Sequence, residues 1–223
     1  MADEIPDIPN VALSAQEQER ISRIGEELRD GIENLHDIGP AVTIFGSARS
    51  TEDSWEYQSA RTLARMLSAE GISVITGGGP GVMEAANLGA CEEVGTSIGL
   101  NIELPHEQMA NPYLDIDLDF RYFFTRKFML IRYARGFAIY PGGFGTIDEL
   151  FELLTLMQTG KLKERPVVLV GIDYWRDVVQ WLKDFTLRSG FINAADLDML
   201  QPVATAEEAA TILLSVASSE DEA

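Results

Sequence analysis

Between residues 41 and 203 the chain repeats one pattern: a short apolar run, a turn, then a longer amphipathic stretch. The runs are "AVTIFG" (41–46), "ISVITGG" (72–78), "TSIGLNI" (96–102), "FAIY" (137–140) and "PVVLVG" (166–171). Each is too short for a stable helix and apolar at successive positions, the pattern of a strand buried on both faces. Between them, residues 54–70, 81–93, 125–135 and 175–188 read as helices. Leu150, Leu153, Leu154 and Met157 recur at i, i+3, i+4 and i+7, the stripe of a helix packed on a sheet. Alternation of this kind predicts a parallel sheet with helices on both faces.

Right-handed crossovers then make the architecture a doubly wound, Rossmann-like α/β sandwich. Ligands in such sheets sit at the carboxyl ends of the strands. Residues 40–218 carry the pattern as one domain without an internal repeat or linker. Residues 1–12 hold two prolines and no periodicity, so they are expected to be a flexible arm. Residues 13–39 are expected to form a helical extension, because "SAQE" at Ser14–Glu17 has capping-box spacing before Ile21, Ile24, Leu28, Ile32 and Leu35. "LDIDLDF" (114–120) alternates at period two inside an otherwise irregular stretch. A "QPVAT" segment and a last helix near residues 206–215 lead to an acidic tail at 219–223.

Charge narrows the partners. The formal net charge is −19, with ten acids and three bases in residues 1–39 and five acids and no base in residues 204–223. Acidic ends of this kind solvate the chain and disfavour a nucleic-acid backbone. No apolar run is long enough to span a membrane, and "MADEIPDIPN" is not a signal sequence. One cysteine fits a reducing, cytoplasmic location, and two separated histidines argue against a zinc site, so no metal is expected. Ala86, Leu88 and Ala90 nearby suggest that Cys91 is a small core filler. Against the acidic background, Arg121, Arg126, Lys127, Arg132 and Arg135 form a local excess of base.

Three strands end in glycine: "FGSAR" (45–49), "TGGGPGVMEAA" (76–86) and "YPGGFGT" (140–146). Projecting from one rim, such turns offer backbone N–H groups to an anion beside helix N-termini. The second turn is an imperfect dinucleotide fingerprint, with Val82 at the third glycine position and Glu103 as the ribose acid. No Lys-Ser or Lys-Thr follows the glycines, so none of the turns is a Walker loop. In "PGGFGTIDEL" (141–150), Thr146 and Glu149 have capping-box spacing, which is one reading. The other is a phosphate cradle formed by Gly142, Gly143 and Gly145, with the Thr146 hydroxyl as an added donor. Arg126 and Lys127 stand at a predicted helix start, where cations oppose the dipole, so they point to an anionic or electron-rich partner. A solvated basic face is the plainer alternative.

"GGGPGVMEAANLGA" (77–90), "RKFML" (126–130) and "PGGFGTIDEL" resemble the LOG ("lonely guy") phosphoribohydrolases, whose signature is PGGxGTxxE with an upstream Arg-Lys pair. The likeness runs over residues 40–190 or so. Members are often labelled "lysine decarboxylase", yet nothing here resembles a pyridoxal-phosphate lysine motif. The resemblance implies hydrolysis of the N-glycosidic bond of nucleoside 5′-monophosphates, AMP or a cytokinin riboside monophosphate, to free base and ribose 5-phosphate. It implies Arg126 and Glu149 as the catalytic pair and Gly142, Gly143, Gly145 and Thr146 as the phosphate loop. Gly46, Ser47, Arg49, Gly78, Gly79, Met83, Glu84 and Lys127 are the expected ribose or base contacts. The family uses no cofactor and forms homodimers or larger homo-oligomers. A non-catalytic carrier of a phosphorylated cofactor such as molybdopterin is the alternative on this fold. Loss of the Arg126/Glu149 pair would distinguish it, and both residues are present.

Overall fold

A computed structural model of the protein describes residues 13–104 and 109–217. The expected arm at 1–12 and acidic tail at 219–223 lie outside these residues. After helix α1 (Ala15–Leu35) come β1 (Ala41–Phe45), α2 (Trp55–Ala69), β2 (Ser73–Thr76), α3 (Val82–Cys91) and β3 (Ser97–Ile102). Then follow β4 (Ile116–Phe120), α4 (Phe123–Arg132), β5 (Ala134–Ile139), α5 (Phe144–Gln158) and β6 (Val167–Val170). Helix α6 (Ile172–Trp181) runs on into a π-helical turn (Leu182–Leu187) before α7 (Ala194–Asp198), β7 (Leu200–Val203) and α8 (Ala206–Ala217). Among the described residues no helix is long and apolar enough to cross a membrane.

The seven strands pair in the order β4-β3-β2-β1-β5-β6-β7, every pair parallel. The order reverses between β1 and β5, which is the switch point where a ligand crevice opens. Each strand shares its side chains between two cores, as the period of two requires. Val42, Ile44, Val74, Ala138, Tyr140 and Val168 face α2, α3 and α8. Phe45, Ile75, Ile98, Phe137, Ile139 and Leu169 face the other way, onto Leu35, Met129, Leu153 and Trp175 from α1, α4, α5 and α6. Thr43 falls in the buried part of β1, and its hydroxyl donates to Leu130 O at 2.7 Å, tying α4 to the central strand.

Helix α1 has the capping box expected at Ser14 and Glu17. Three other expectations change. The 114–120 segment is the edge strand β4, alternately exposed because α1 and α4 cover the face that carries Ile116, Leu118 and Phe120, whereas Asp117 and Asp119 face the other way. Helix α4 starts two residues before the expected 125 and stops at Arg132, since Ala134 and Arg135 already belong to β5. Cys91 is exposed rather than core: it ends α3, and its thiol donates to Tyr113 O at 3.1 Å.

Candidate active site

The three glycine turns are stitched together along one rim. Ser47 N–H donates to Pro141 O at 3.0 Å, joining the first turn to the third. Val82 N–H donates to Ser47 O at 3.0 Å, joining the second to the first. The close approach needs glycine at Gly81, where φ is +71° and a Cβ would lie 2.4 Å from Ser47 O. Gly46 is equally confined, since a Cβ there would press on Val82 at 2.5 Å. A buried polar network fixes the middle turn. Thr76 Oγ1 donates to Asn87 Oδ1 at 2.6 Å, and Asn87 Nδ2 donates to Ser97 Oγ at 2.9 Å. Asn111 Nδ2 lies 2.9 Å from Asn87 Oδ1 and 3.1 Å from the carbonyls of both Gly78 and Gly79. Sequence reasoning missed Thr76, Asn87 and Asn111. The signal for Asn87 was an amide placed among the small and apolar residues of "VMEAANLGAC", where an unpaired polar group would be costly.

Arg126 and Glu149, 23 positions apart, meet beside this turn. Arg126 is only 7% exposed. Its Nε donates to Leu100 O at 2.6 Å and Nη2 to Gly77 O at 3.2 Å, so the guanidinium bridges the ends of β3 and β2. Nη1 faces Glu149 Oε1 at 3.7 Å, an ion-pair contact longer than a hydrogen bond. Burial pushes the Glu149 carboxyl up to about 7, with Arg126 and then Lys127 pulling it down and Asp148 and Glu152 adding to the rise. Burial likewise lowers the Arg126 pKa, and Glu149 opposes that. A carboxyl that titrates near neutrality beside a fixed cation suits proton transfer or stabilisation of a transient positive charge.

Lys127 points elsewhere. Its ammonium lies 2.8 Å from Asp148 and 2.7 Å from Glu152, pinning α4 to α5. Burial opposes its charge, but the hydrogen bonds and the charges of those two carboxylates together raise its pKa.

The "PGGFGT" loop departs from the capping-box reading. Helix α5 begins at Phe144, with Gly143 as an N-cap that makes no side-chain hydrogen bond. Thr146 is therefore the third helical residue, 4% exposed and packed against Gly142, where a Cβ would come within 2.2 Å of Oγ1. Without a side-chain cap, the first-turn amides and the positive end of the helix dipole remain available to an anion. Glu149 lies one turn further along the same helix.

A cleft of about 440 Å³ opens beside the loop, lined by Ser47, Arg49, Ser54, Gly142 and Tyr174 among others. Tyr174 OH donates to Gly142 O at 2.6 Å, holding the loop from α6. Arg126 and Glu149 do not line this cleft. Of the other expected contacts, Met83 leans on Gly77, and Glu84 accepts from Tyr57 OH at 3.2 Å. Burial, then the Glu84 charge, drives the Tyr57 hydroxyl up to about 12. The structure thus gathers Arg126, Glu149 and Gly77 at one point. Gly142, Ser47 and the exposed Arg49 line the neighbouring cleft, and Glu84 is paired with Tyr57.

A family model described as "Possible lysine decarboxylase" matches residues 83–213. A "Bifunctional cytokinin biosynthesis protein" of Fusarium pseudograminearum is 32% identical over 187 residues, covering 74% of this chain and 38% of that protein. A "Cytokinin riboside 5′-monophosphate phosphoribohydrolase LOG" of Oryza sativa subsp. japonica is 29% identical over 150 residues, covering 66% of this chain and 61% of that one. The chain therefore spans less than two thirds of the length of either relative. Among solved structures, the molybdenum cofactor carrier protein of Chlamydomonas reinhardtii superposes with a TM-score of 0.58 at 22% identity, over 81% of this chain and 99% of that one. At that identity the likeness concerns the fold alone.

Proposed function

The chain belongs to the LOG family, the one described as "Possible lysine decarboxylase", and we propose that it hydrolyses the N-glycosidic bond of purine or cytokinin nucleoside 5′-monophosphates. The products are the free base and ribose 5-phosphate, with AMP as one substrate. The observation that carries this reading is the buried Arg126–Glu149 contact at 3.7 Å, one helical turn from the uncapped start of α5.

In this reaction the 5′-phosphate rests on the amides of Gly142 and Gly143 before α5 and of Gly145 in its first turn, with Thr146 Oγ1 as an added donor. The anchor contributes positioning. As the C1′–N bond breaks, its electron pair leaves with the base and positive charge gathers on the ribose. Glu149 in its carboxylate form stabilises that charge, then takes a proton from the water that bonds to C1′. The proton that Glu149 takes from the water passes to the released base, returning Glu149 to its carboxylate, and the Arg126 guanidinium offsets the base's developing negative charge. Lys127, already engaged by Asp148 and Glu152, holds α4 against α5 and lends its charge to Glu149 instead of touching substrate. The sugar and base lie against Gly46, Ser47, Gly78, Gly79 and Met83, with Arg49 and Glu84 at the margin.

A purely carrier role gives no reason to bury a carboxylate until it titrates near 7. Exposed Phe123, Phe124 and Phe128 on α4 support a homodimer or larger homo-oligomer. The single cysteine supports a reducing compartment, the cytoplasm. The test is direct: incubate the protein with AMP and with isopentenyladenosine monophosphate, then separate free base and ribose 5-phosphate by chromatography. Release from either substrate supports the reading, and no release from both by folded protein overturns it.

A further inference from the structure

Helix α4, which carries Arg126, has neither a side-chain cap at its N-cap Tyr122 nor an acidic residue in its first turn. The missing carboxylate comes from α1, more than ninety residues earlier. Glu27 Oε1 accepts Arg121 N–H at 3.1 Å, and Oε2 accepts Tyr122 N–H at 3.4 Å and the Thr125 hydroxyl at 2.6 Å. Thr125 is fully buried and immediately precedes Arg126. Four residues further along both helices, Gly31 faces Met129, where a Cβ would stand 2.9 Å from the methionine side chain. The two helices therefore run side by side in one direction, as close as a glycine allows, and that closeness lets Glu27 reach the start of α4. Leu35, fully buried in the same core, ties down the end of α1.

We propose that Glu27 is a positioning residue for Arg126, which makes α1, outside the matched residues 83–213, a working part of the hydrolytic site. The inference rests on the reaction proposed above. Arg126 touches Gly77 O, Leu100 O and Glu149 through one extended side chain rooted on α4. A slide of α4 is passed on to its guanidinium; Glu27 holds the uncapped α4 start from α1, while Asp148 and Glu152 hold Lys127 from α5. A carboxylate there also complements the positive end of the helix dipole.

The experiment compares wild type, Glu27→Ala and Glu27→Gln for thermal melting, kcat, KM for AMP, and the pH dependence of kcat/KM. Glu27→Ala is expected to lower kcat on the order of 10- to 100-fold, as a displacement near 1 Å does. KM should change little, because the phosphate contacts sit on α5. The acid limb of the profile should move up. Arg126 recedes from Glu149, while Asp148 and Glu152 on α5 keep repelling its charge and Lys127 on α4 compensates only in part. Glu27→Gln keeps the length and one acceptor oxygen, so it should recover part of the loss. A folded Glu27→Ala with unchanged kcat and acid limb overturns the proposal. So does a loss of activity that only follows the folded fraction in both variants. If wild type itself releases no base, the hydrolysis reading fails separately. The positioning claim is then judged from the Arg126 Nε NMR resonance, which must shift in Glu27→Ala for the claim to stand.

Discussion

Replacing Gly77 by alanine places a methyl group where the Arg126 guanidinium already lies. The new Cβ would stand 2.2 Å from Nη2 and 2.8 Å from Met83 Sδ, whereas ordinary contact begins at 3.4 Å. Gly77 does not have positive φ, so the backbone itself accepts alanine and the effect is confined to the contact. The guanidinium must retreat by more than 1 Å, which breaks its bond to Gly77 O and alters its distance to Glu149. Overpacking of this kind costs about 1–3 kcal/mol of stability. A 1 Å misplacement of a catalytic group costs on the order of 10²-fold in rate. Gly77→Ala should therefore remain folded, with a lowered melting temperature and kcat reduced on the order of 10²-fold. Gly25→Ala is the control, because a Cβ there meets nothing within 4 Å. The assay is steady-state base release beside a thermal melt for each variant. A folded Gly77→Ala whose kcat stays within about threefold of wild type, a change below 1 kcal/mol in barrier, would refute the reasoning.

Three more outcomes follow from the same geometry. Burial raises the Glu149 pKa to about 7, and the proposed reaction uses the carboxylate form, so kcat/KM should fall as pH drops below that value. The substrate phosphate itself titrates near pH ~6. Lys127→Met separates the two: removing a cation that lowers the Glu149 pKa should move the enzyme limb up and leave the phosphate limb in place. Thr146→Val removes a hydroxyl from the loop. If it donates to phosphate, KM should rise on the order of tenfold, as for one hydrogen bond to a charged group, with kcat changed far less. Gly81→Ala combines a φ of +71° with a Cβ 2.4 Å from Ser47 O, so denaturant melts should show a loss of at least about 2 kcal/mol.

The strands were readable because "AVTIF" and "VVLV" are nearly all apolar over runs too short for a helix, and the fold buries every position of both. Strand β4 was harder. Its aspartates at 117 and 119 point outward from an edge, and only the period of two distinguishes "IDLDF" from a polar loop. Strand order cannot be read from local pattern, because β1 pairs with β5 across more than eighty residues. Cys91 has apolar sequence neighbours but ends its helix on the exposed side, so neighbours along the chain misjudged it. At the site, the glycine turns and the residue types Arg126 and Glu149 were legible, whereas their 3.7 Å contact was not. The Thr146–Glu149 spacing fits a cap or the inside of a helix equally well, and the start of α5 at Phe144 decides for the latter. Lys127 looked available to a ligand because its partners, Asp148 and Glu152, come from α5.

In the proposed reaction everything turns on the Glu149 carboxylate acting on the sugar. Glu149→Gln keeps the size and the helical position while removing the charge, so the measurement is base release from AMP by this variant against wild type. The variant should melt normally and still bind ribose 5-phosphate, with turnover reduced on the order of 10³-fold or more. Turnover close to wild type in the folded variant would contradict it.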